Sequence, residues 1–274
     1  MIYRSFTLPF FEDATLTALC DDVNESAKKR PRRRAVIVCP GGAYHGHAAH
    51  EGEPIAHRFL TAGFATFVLQ YSVKERAADF RPLAELLLAI RFVREHADDF
   101  YVDPDYVFTC GFSAGGHLAA SAGVLFDIPE IEPYIPSSER ELCRPTGMIL
   151  CYPVITAEAP FMHLGSFKRL CGTDAPTEAQ LLRFSLDKHV NKRTAPAFLW
   201  HTFADKGVHV NNSLFMANAL RAASVPFEMH ICPTGAHGLG LCDGAYGEPN
   251  KHNACWIDLA ITWASTLEAT PITE

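Results

Sequence analysis

Residues 107–120, Val-Phe-Thr-Cys-Gly-Phe-Ser-Ala-Gly-Gly-His-Leu-Ala-Ala, set a short β-prone run against an alanine-rich helix former, with a serine between them. The junction reads G-x-S-x-G, Gly111 to Gly115, in the setting that gives this motif its meaning, a strand turning sharply into a helix. In such a turn the two backbones lie so close that a Cβ two residues before or after the serine would clash, which accounts for both glycines. The turn lifts the Ser113 hydroxyl clear of the sheet and aims the positive end of the following helix at it. Ser113 is the candidate nucleophile.

A serine hydroxyl attacks poorly until a base takes its proton, and the base needs an acid to hold its tautomer. Ala197 to Phe203 reads as a buried strand with Asp205 just past its end. Phe227 to Cys232 reads as the next strand, followed by Thr234-Gly235-Ala236-His237-Gly238. Nucleophile, acid and base thus follow one another along the chain in loops at C-terminal strand ends, where open α/β sheets bind their ligands. Each partner has a plainer reading. Asp205 could simply cap the helix near Val208, with Asp174 and Asp187 as the next carboxylates, and His237 is one of 13 histidines. Order and position after successive strands favour the acid and base roles. A further strand, Ala35 to Cys39, ends in Pro40-Gly41-Gly42-Ala43-Tyr44, where small residues let backbone N–H groups approach a carbonyl oxygen. The Ala114 N–H, at the start of the elbow helix, would complete that oxyanion hole.

Strand-like runs at 35–39, 64–71, 107–110, 147–152, 197–203 and 227–232 alternate with helical stretches at 53–62, 82–98, 114–125, 208–223 and 253–267. This alternation predicts an α/β fold, a mostly parallel central sheet with helices on both faces, in one domain over 1–274. Residues 1–20 are expected to add antiparallel strands at the edge, turning near Asp13-Ala14. Segments 126–146 (with Pro129, Pro133, Pro136 and Pro145) and 157–194 (with Phe161, Met162, His163 and Phe167) break the alternation. Both are read as insertions lining the acyl and alcohol sides of the site. Neither is long enough for a large lid, which favours a short acyl group.

The 274 residues carry a net charge of −7, which disfavours nucleic acid and anionic membrane as partners. The run Lys28 to Arg34 is the exception and reads as a solvated loop. No signal-peptide pattern opens the chain, and no apolar run approaches the roughly 18 residues of a membrane span. Nine cysteines, an odd number and several of them in apolar strands, agree with a reducing compartment, so the expectation is cytoplasmic. His45, His47 and His50 invite a metal reading, but all three lie in one loop immediately after the oxyanion segment, where site-lining or solvent-facing histidines are the favoured reading; no metal or cofactor is expected.

With these residues in hand, the chain resembles the esterase/lipase branch of the α/β-hydrolase superfamily, in particular small microbial acetyl esterases and carbohydrate (acetylxylan-type) esterases. The resemblance runs from about residue 34 to 266. It is carried by Pro40 to Tyr44, Glu51-Gly52-Glu53-Pro54, Phe67 to Tyr71, Asp103-Pro104-Asp105, Gly111 to Ala120, His201-Thr202, Asp205, Val225 to Glu228 and Gly235 to Gly240. It implies Ser113 as nucleophile, His237 as base, Asp205 as acid, and the N–H groups of Gly42, Ala43 and Ala114 as oxyanion donors. The chain departs from the pattern where Ala43 stands for a third glycine, His50 for an arginine and His209 for a proline. The two extra imidazoles, His50 and His209, together with Tyr44 at the end of the oxyanion segment, are the candidates for substrate contact. The implied activity is hydrolysis of short-chain carboxylic esters, with acetylated oligosaccharides among the candidate substrates; the same fold also serves formamidases, thioesterases, lactonases and non-catalytic binding proteins. A homo-oligomer is left open.

Overall fold

A computed structural model describes residues 1–25 and 27–269. Its strands are β1 (Ile2–Leu8), β2 (Phe11–Cys20), β3 (Arg33–Cys39), β4 (Ala65–Gln70), β5 (Val102–Phe112), β6 (Gly147–Cys151), β7 (Ala197–Thr202) and β8 (Phe227–Cys232). They form one sheet in the order β1-β2-β4-β3-β5-β6-β7-β8, antiparallel where β1 and β2 join and parallel from β4 to β8. The helices are α1 (Glu53–Thr61), α2 (Arg81–Glu95), α3 (Ala97–Phe100), α4 (Ser113–Val124), α5 (Arg140–Cys143), α6 (Leu164–Cys171), α7 (Glu178–Arg183), α8 (Asn211–Ala222) and α9 (Trp256–Thr266).

The central strands read as unbroken apolar runs because both of their faces are covered. Ala35, Ile37 and Cys39 of β3 pack into the layer formed with α2, α4, α6 and α8. Val36 and Val38 turn to the opposite layer, where Ile55 and Phe59 of α1 meet Trp256 and Ile257 of α9. The same period-2 division recurs in β6 and β7. Every residue of α4 is buried, so the helix that starts at the elbow is locked between sheet and outer layer.

Three expectations are corrected. The edge hairpin turns at Pro9-Phe10, with Phe10 at φ 67°, and Asp13-Ala14 lies inside β2, where Asp13 pairs with Arg76 and Arg81. The solvated-loop reading of Lys28 to Arg34 holds for Lys28 to Arg32, which are exposed, and fails for the last two arginines. Arg33 and Arg34 are part of β3; Arg33 donates to Asp21 O (2.8 Å), and Arg34 to Ala264 O (2.6 Å) and Leu267 O (2.7 Å) while lying over the Tyr106 ring. The Arg33 guanidinium thus ties β3 to the chain just past β2, and that of Arg34 ties it to the end of α9. Finally, the 126–146 segment does not line the serine cavity. It packs on the outer side of α2, with Arg91 paired to Glu139 and Arg94 donating to the carbonyls of Leu142 and Arg144.

One buried histidine sets a pH dependence of stability. His117 of α4 lies between Tyr44 OH (3.0 Å from Nδ1) and Phe184 O (2.9 Å from Nε2). A carbonyl only accepts, so Nε2 carries the proton and Nδ1 accepts from the tyrosine. Burial lowers the His117 pKa from 6.5 to about 4, against the opposing bond to Phe184 O. Between those values the unfolded chain binds a proton that the folded chain does not. Stability is therefore full above about pH 6.5 and falls as pH drops toward 4, by about 3 kcal/mol for this group. Urea unfolding at pH 7 and pH 4.5 should show this loss, and His117→Gln should show less of it. Equal losses in the two proteins would contradict the assignment.

Candidate active site

The turn from β5 into α4 holds Ser113 at φ 52°, a left-handed conformation costly for a side-chain-bearing residue. Neighbouring backbone enforces it. A Cβ on Gly111 would sit 2.0 Å from Gly115 O, and one on Gly115 would sit 2.1 Å from Cys39 O. The elbow is thus pressed onto the end of β3, which places Ser113 beside the Gly42-Ala43 segment.

His237 stands in the loop after β8, which the Thr202 hydroxyl anchors at Gly235 O (2.9 Å) and the Asn253 amide at Thr234 O (2.8 Å). Its Nε2 is 2.8 Å from Ser113 Oγ and its Nδ1 is 2.7 Å from Asp205 Oδ2. A carboxylate accepts the Nδ1 proton, which leaves Nε2 as acceptor for the serine hydroxyl. Asp205, 6% exposed, also accepts from the N–H groups of Gly207 (2.8 Å) and Val208 (2.9 Å) through Oδ1. These bonds hold residues 205–210 in a turn, so α8 begins at Asn211 rather than near Val208. The fully buried His201 adds a second imidazole, its Nε2 3.3 Å from Asp205 Oδ2. Burial alone would raise the Asp205 pKa, but hydrogen bonds from His201 and His237, the His237 charge and the Val208 N–H outweigh it and hold the carboxyl well below the usual range.

A cavity of about 290 Å³ opens above Ser113, lined by Gly42, Ala43, His50, Glu51, His163, His237 and Tyr246 among others. Gly42 sits at φ 134°, where a Cβ would also lie 2.2 Å from Gly46 O, so the position requires glycine; Ala43 follows at φ 55°. Among the described residues no acceptor takes the N–H of Gly42 or Ala43. The Ala114 N–H belongs to the first turn of α4, whose N–H groups have no intrahelical partner. A hydroxyl, an imidazole and a carboxylate in line, beside unpaired N–H groups, are the equipment of acyl transfer.

Of the three candidates for substrate contact, the structure brings only His50 into the cavity wall. His50 Nε2 donates to Gly238 O (2.8 Å), and its ring stacks on Tyr246 at 4.8 Å and 6°. Tyr44 is a core residue, because its φ of 56° turns the side chain inward to His117 and Tyr71. His209 is exposed outside the cavity, accepting the Asn211 N–H (3.1 Å) and packing on Phe161. The 157–194 segment supplies the cavity with His163, whose Nδ1 accepts from Ser166 at the start of α6. Burial first, and His237 second, push the His163 pKa down, with Asp205 opposing.

Residue-by-residue reading missed Tyr246, which sits in a glycine-punctuated loop (Gly240, Gly244, Gly247) with no periodic signal. It also gave no role to Glu51 or His201, although both stand in stretches that carry the resemblance. His45, His47 and His50 do not converge. His45 is exposed, His47 meets the Tyr71 ring edge-on at 4.7 Å, and His50 faces Gly238. Among the described residues no group of three or more His, Cys, Asp and Glu side chains could hold a metal ion, and no helix is long and apolar enough to cross a membrane.

The sequence profile of the BD-FAE family matches residues 22–220. Endo-1,4-beta-xylanase B of Butyrivibrio fibrisolvens is 37% identical over 218 residues, 78% of this chain and 34% of that protein. An acetylxylan esterase of Xylanibacter ruminicola is 28% identical over 242 residues, 87% of this chain and 46% of that protein. The chain thus spans between a third and a half of the length of these curated relatives. Among solved structures, the acetyl ester-xyloside bifunctional hydrolase of Caldicellulosiruptor lactoaceticus superposes with a TM-score of 0.80 at 37% identity, covering 94% of this chain and 89% of that one. The architecture is the α/β-hydrolase fold.

Proposed function

The chain belongs to the BD-FAE family, and we propose that it cleaves short-chain carboxylic esters, O-acetyl groups on small carbohydrates in particular, through an acyl-enzyme on Ser113. The observation that carries this reading is the continuous line from Ser113 Oγ through His237 to Asp205, opening on a cavity with the unpaired N–H groups of Gly42 and Ala43. In the proposed reaction His237 Nε2 takes the Ser113 proton as Oγ bonds to the ester carbonyl carbon. The oxygen that becomes negative is received by the Gly42, Ala43 and Ala114 N–H groups, while Asp205 stabilises the imidazolium. Collapse breaks the bond to the alcohol oxygen, which leaves with the proton from His237. Water then adds to the acyl-serine with His237 again as base, and the carboxylic acid departs as Ser113 is regenerated.

Short acyl groups fit the modest cavity, and the names of the relatives point to xylan-derived alcohols. Tyr246 supports the carbohydrate side of the reading. The residue is 54% exposed, with one face of its ring stacked on His50 at the cavity rim, so the other is available to the apolar face of a sugar ring. A panel of acetylated xylosides, aryl esters of increasing chain length, thioesters, lactones and N-formyl compounds tests the proposal. Rates should be highest on acetyl oxygen esters and fall steeply beyond butyryl; faster hydrolysis of octanoyl esters, thioesters, lactones or formamides would redirect it. Tyr246→Ala should raise KM for an acetylated xyloside about three- to tenfold, the equivalent of one stacking contact, and change the KM of phenyl acetate less.

A further inference from the structure

We infer that Glu51 is a positioning residue for this reaction, its buried carboxylate fixing the peptide that carries the oxyanion N–H groups relative to the loop that carries His237. The inference rests on the reading given under Proposed function. Glu51 is 2% exposed and ends a single helical turn, Ala49–Glu51, after the oxyanion segment. Its Oε2 accepts the Gly41 N–H at 2.9 Å, one residue before Gly42. Its Oε1 accepts the Tyr152 hydroxyl at 2.7 Å, and the Tyr152 oxygen accepts the Gly240 N–H at 2.9 Å. One carboxylate therefore joins the end of β3, the residue just past β6 and the loop three residues beyond His237.

Each arm reaches the reacting groups by a single further contact. At Gly41 the space for a Cβ is already taken by Glu51 Oε2 (2.5 Å), Phe112 O (2.8 Å) and Ser113 Cβ (3.0 Å), so this peptide is clamped between the carboxylate and the elbow. Tyr152 is held at φ 36° with its ring edge-on to the His237 imidazole at 5.1 Å. The Trp256 indole N–H grips Gly240 O at 3.0 Å from the far side. A buried carboxylate is costly to retain unless it is fully bonded. The His50 imidazole lies 3.7 Å away with its Nε2 bonded to Gly238 O, so backbone and hydroxyl donors hold the Glu51 carboxylate. Burial raises the Glu51 pKa, while Tyr152, His50, the Gly41 N–H and His237 pull it down. Such a group does more than fill space, because the contacts it holds set donor positions that acyl transfer needs to within a fraction of an ångström.

The test is steady-state kinetics on an aryl acetate for Glu51→Ala, Glu51→Gln and Tyr152→Phe, with kcat divided by the concentration of fluorophosphonate-titratable sites. Normalising this way separates a slower site from a smaller folded fraction. Glu51→Ala should lower kcat about 100-fold with KM within about threefold of wild type, the scale of one misplaced oxyanion donor. Glu51→Gln, which keeps one acceptor, should recover most of that loss, and Tyr152→Phe should fall about tenfold. Should Glu51→Ala fail to fold, the Gln and Phe variants decide alone: wild-type kcat per titrated site in both overturns the inference. If those rates stay normal while Ser113→Ala is inactive, this inference alone is overturned. An active Ser113→Ala overturns the parent reading and this one with it.

Discussion

Ser113→Ala is expected to lower kcat on an aryl acetate by about 10⁴–10⁶ while leaving fold and stability close to wild type. In the proposed mechanism no other group forms the acyl bond, and what remains without it is the modest rate from the oxyanion N–H groups. The substitution is structurally mild, since alanine keeps the Cβ that packs against Gly41 and removes one hydroxyl from the cavity floor. Circular dichroism and urea unfolding should overlay those of the parent protein. A purified variant that keeps more than about a hundredth of the parent rate would show the serine assignment to be wrong.

A loss of similar size, about 10⁴–10⁶, is expected for His237→Ala, because nucleophile and base act as one unit and removing either stops the same step. The fold should survive. Asp205 would keep the N–H groups of Gly207 and Val208 and the His201 imidazole, so its carboxylate is not left buried and unpaired. His209→Ala is the matched control: that ring is exposed and lies outside the cavity, and its removal should leave kcat and KM within about twofold, as for surface changes generally. Assays of both variants and the parent across pH 5–9 make the comparison. An active His237→Ala beside a dead His209→Ala would require a different base.

The features that were legible in the sequence are local ones. Gly111 and Gly115 betray the elbow because backbone contact forbids a Cβ at either position, and β-branched runs betray strands buried on both faces. The edge turn was misplaced because Pro9-Phe10 carries a left-handed phenylalanine where glycine or asparagine would have marked it. Tyr44 was drawn toward the site by its place beside Gly42 and Ala43, yet one positive φ sends its ring to the core; sequence position does not fix side-chain direction. The 126–146 segment was drawn there by following the elbow helix, but α4 leads the chain away from Ser113 before that segment begins. Glu51 shows the opposite limit. Its partner Tyr152 lies 101 residues on, and Tyr152 reaches Gly240 a further 88 residues along, so no local pattern announces the carboxylate's part in the site.

The central claim, that Ser113 becomes acylated with His237 as its base, is tested most directly by mapping a fluorophosphonate adduct by intact-protein and peptide mass spectrometry. The reagent reacts with a serine only when a base activates it and donors receive the developing oxyanion. The account predicts one adduct per chain, located on the peptide containing Ser113, none on Ser113→Ala, and labelling of His237→Ala slowed by several orders of magnitude. An adduct on any other residue, or an active esterase that takes up no label, would contradict it.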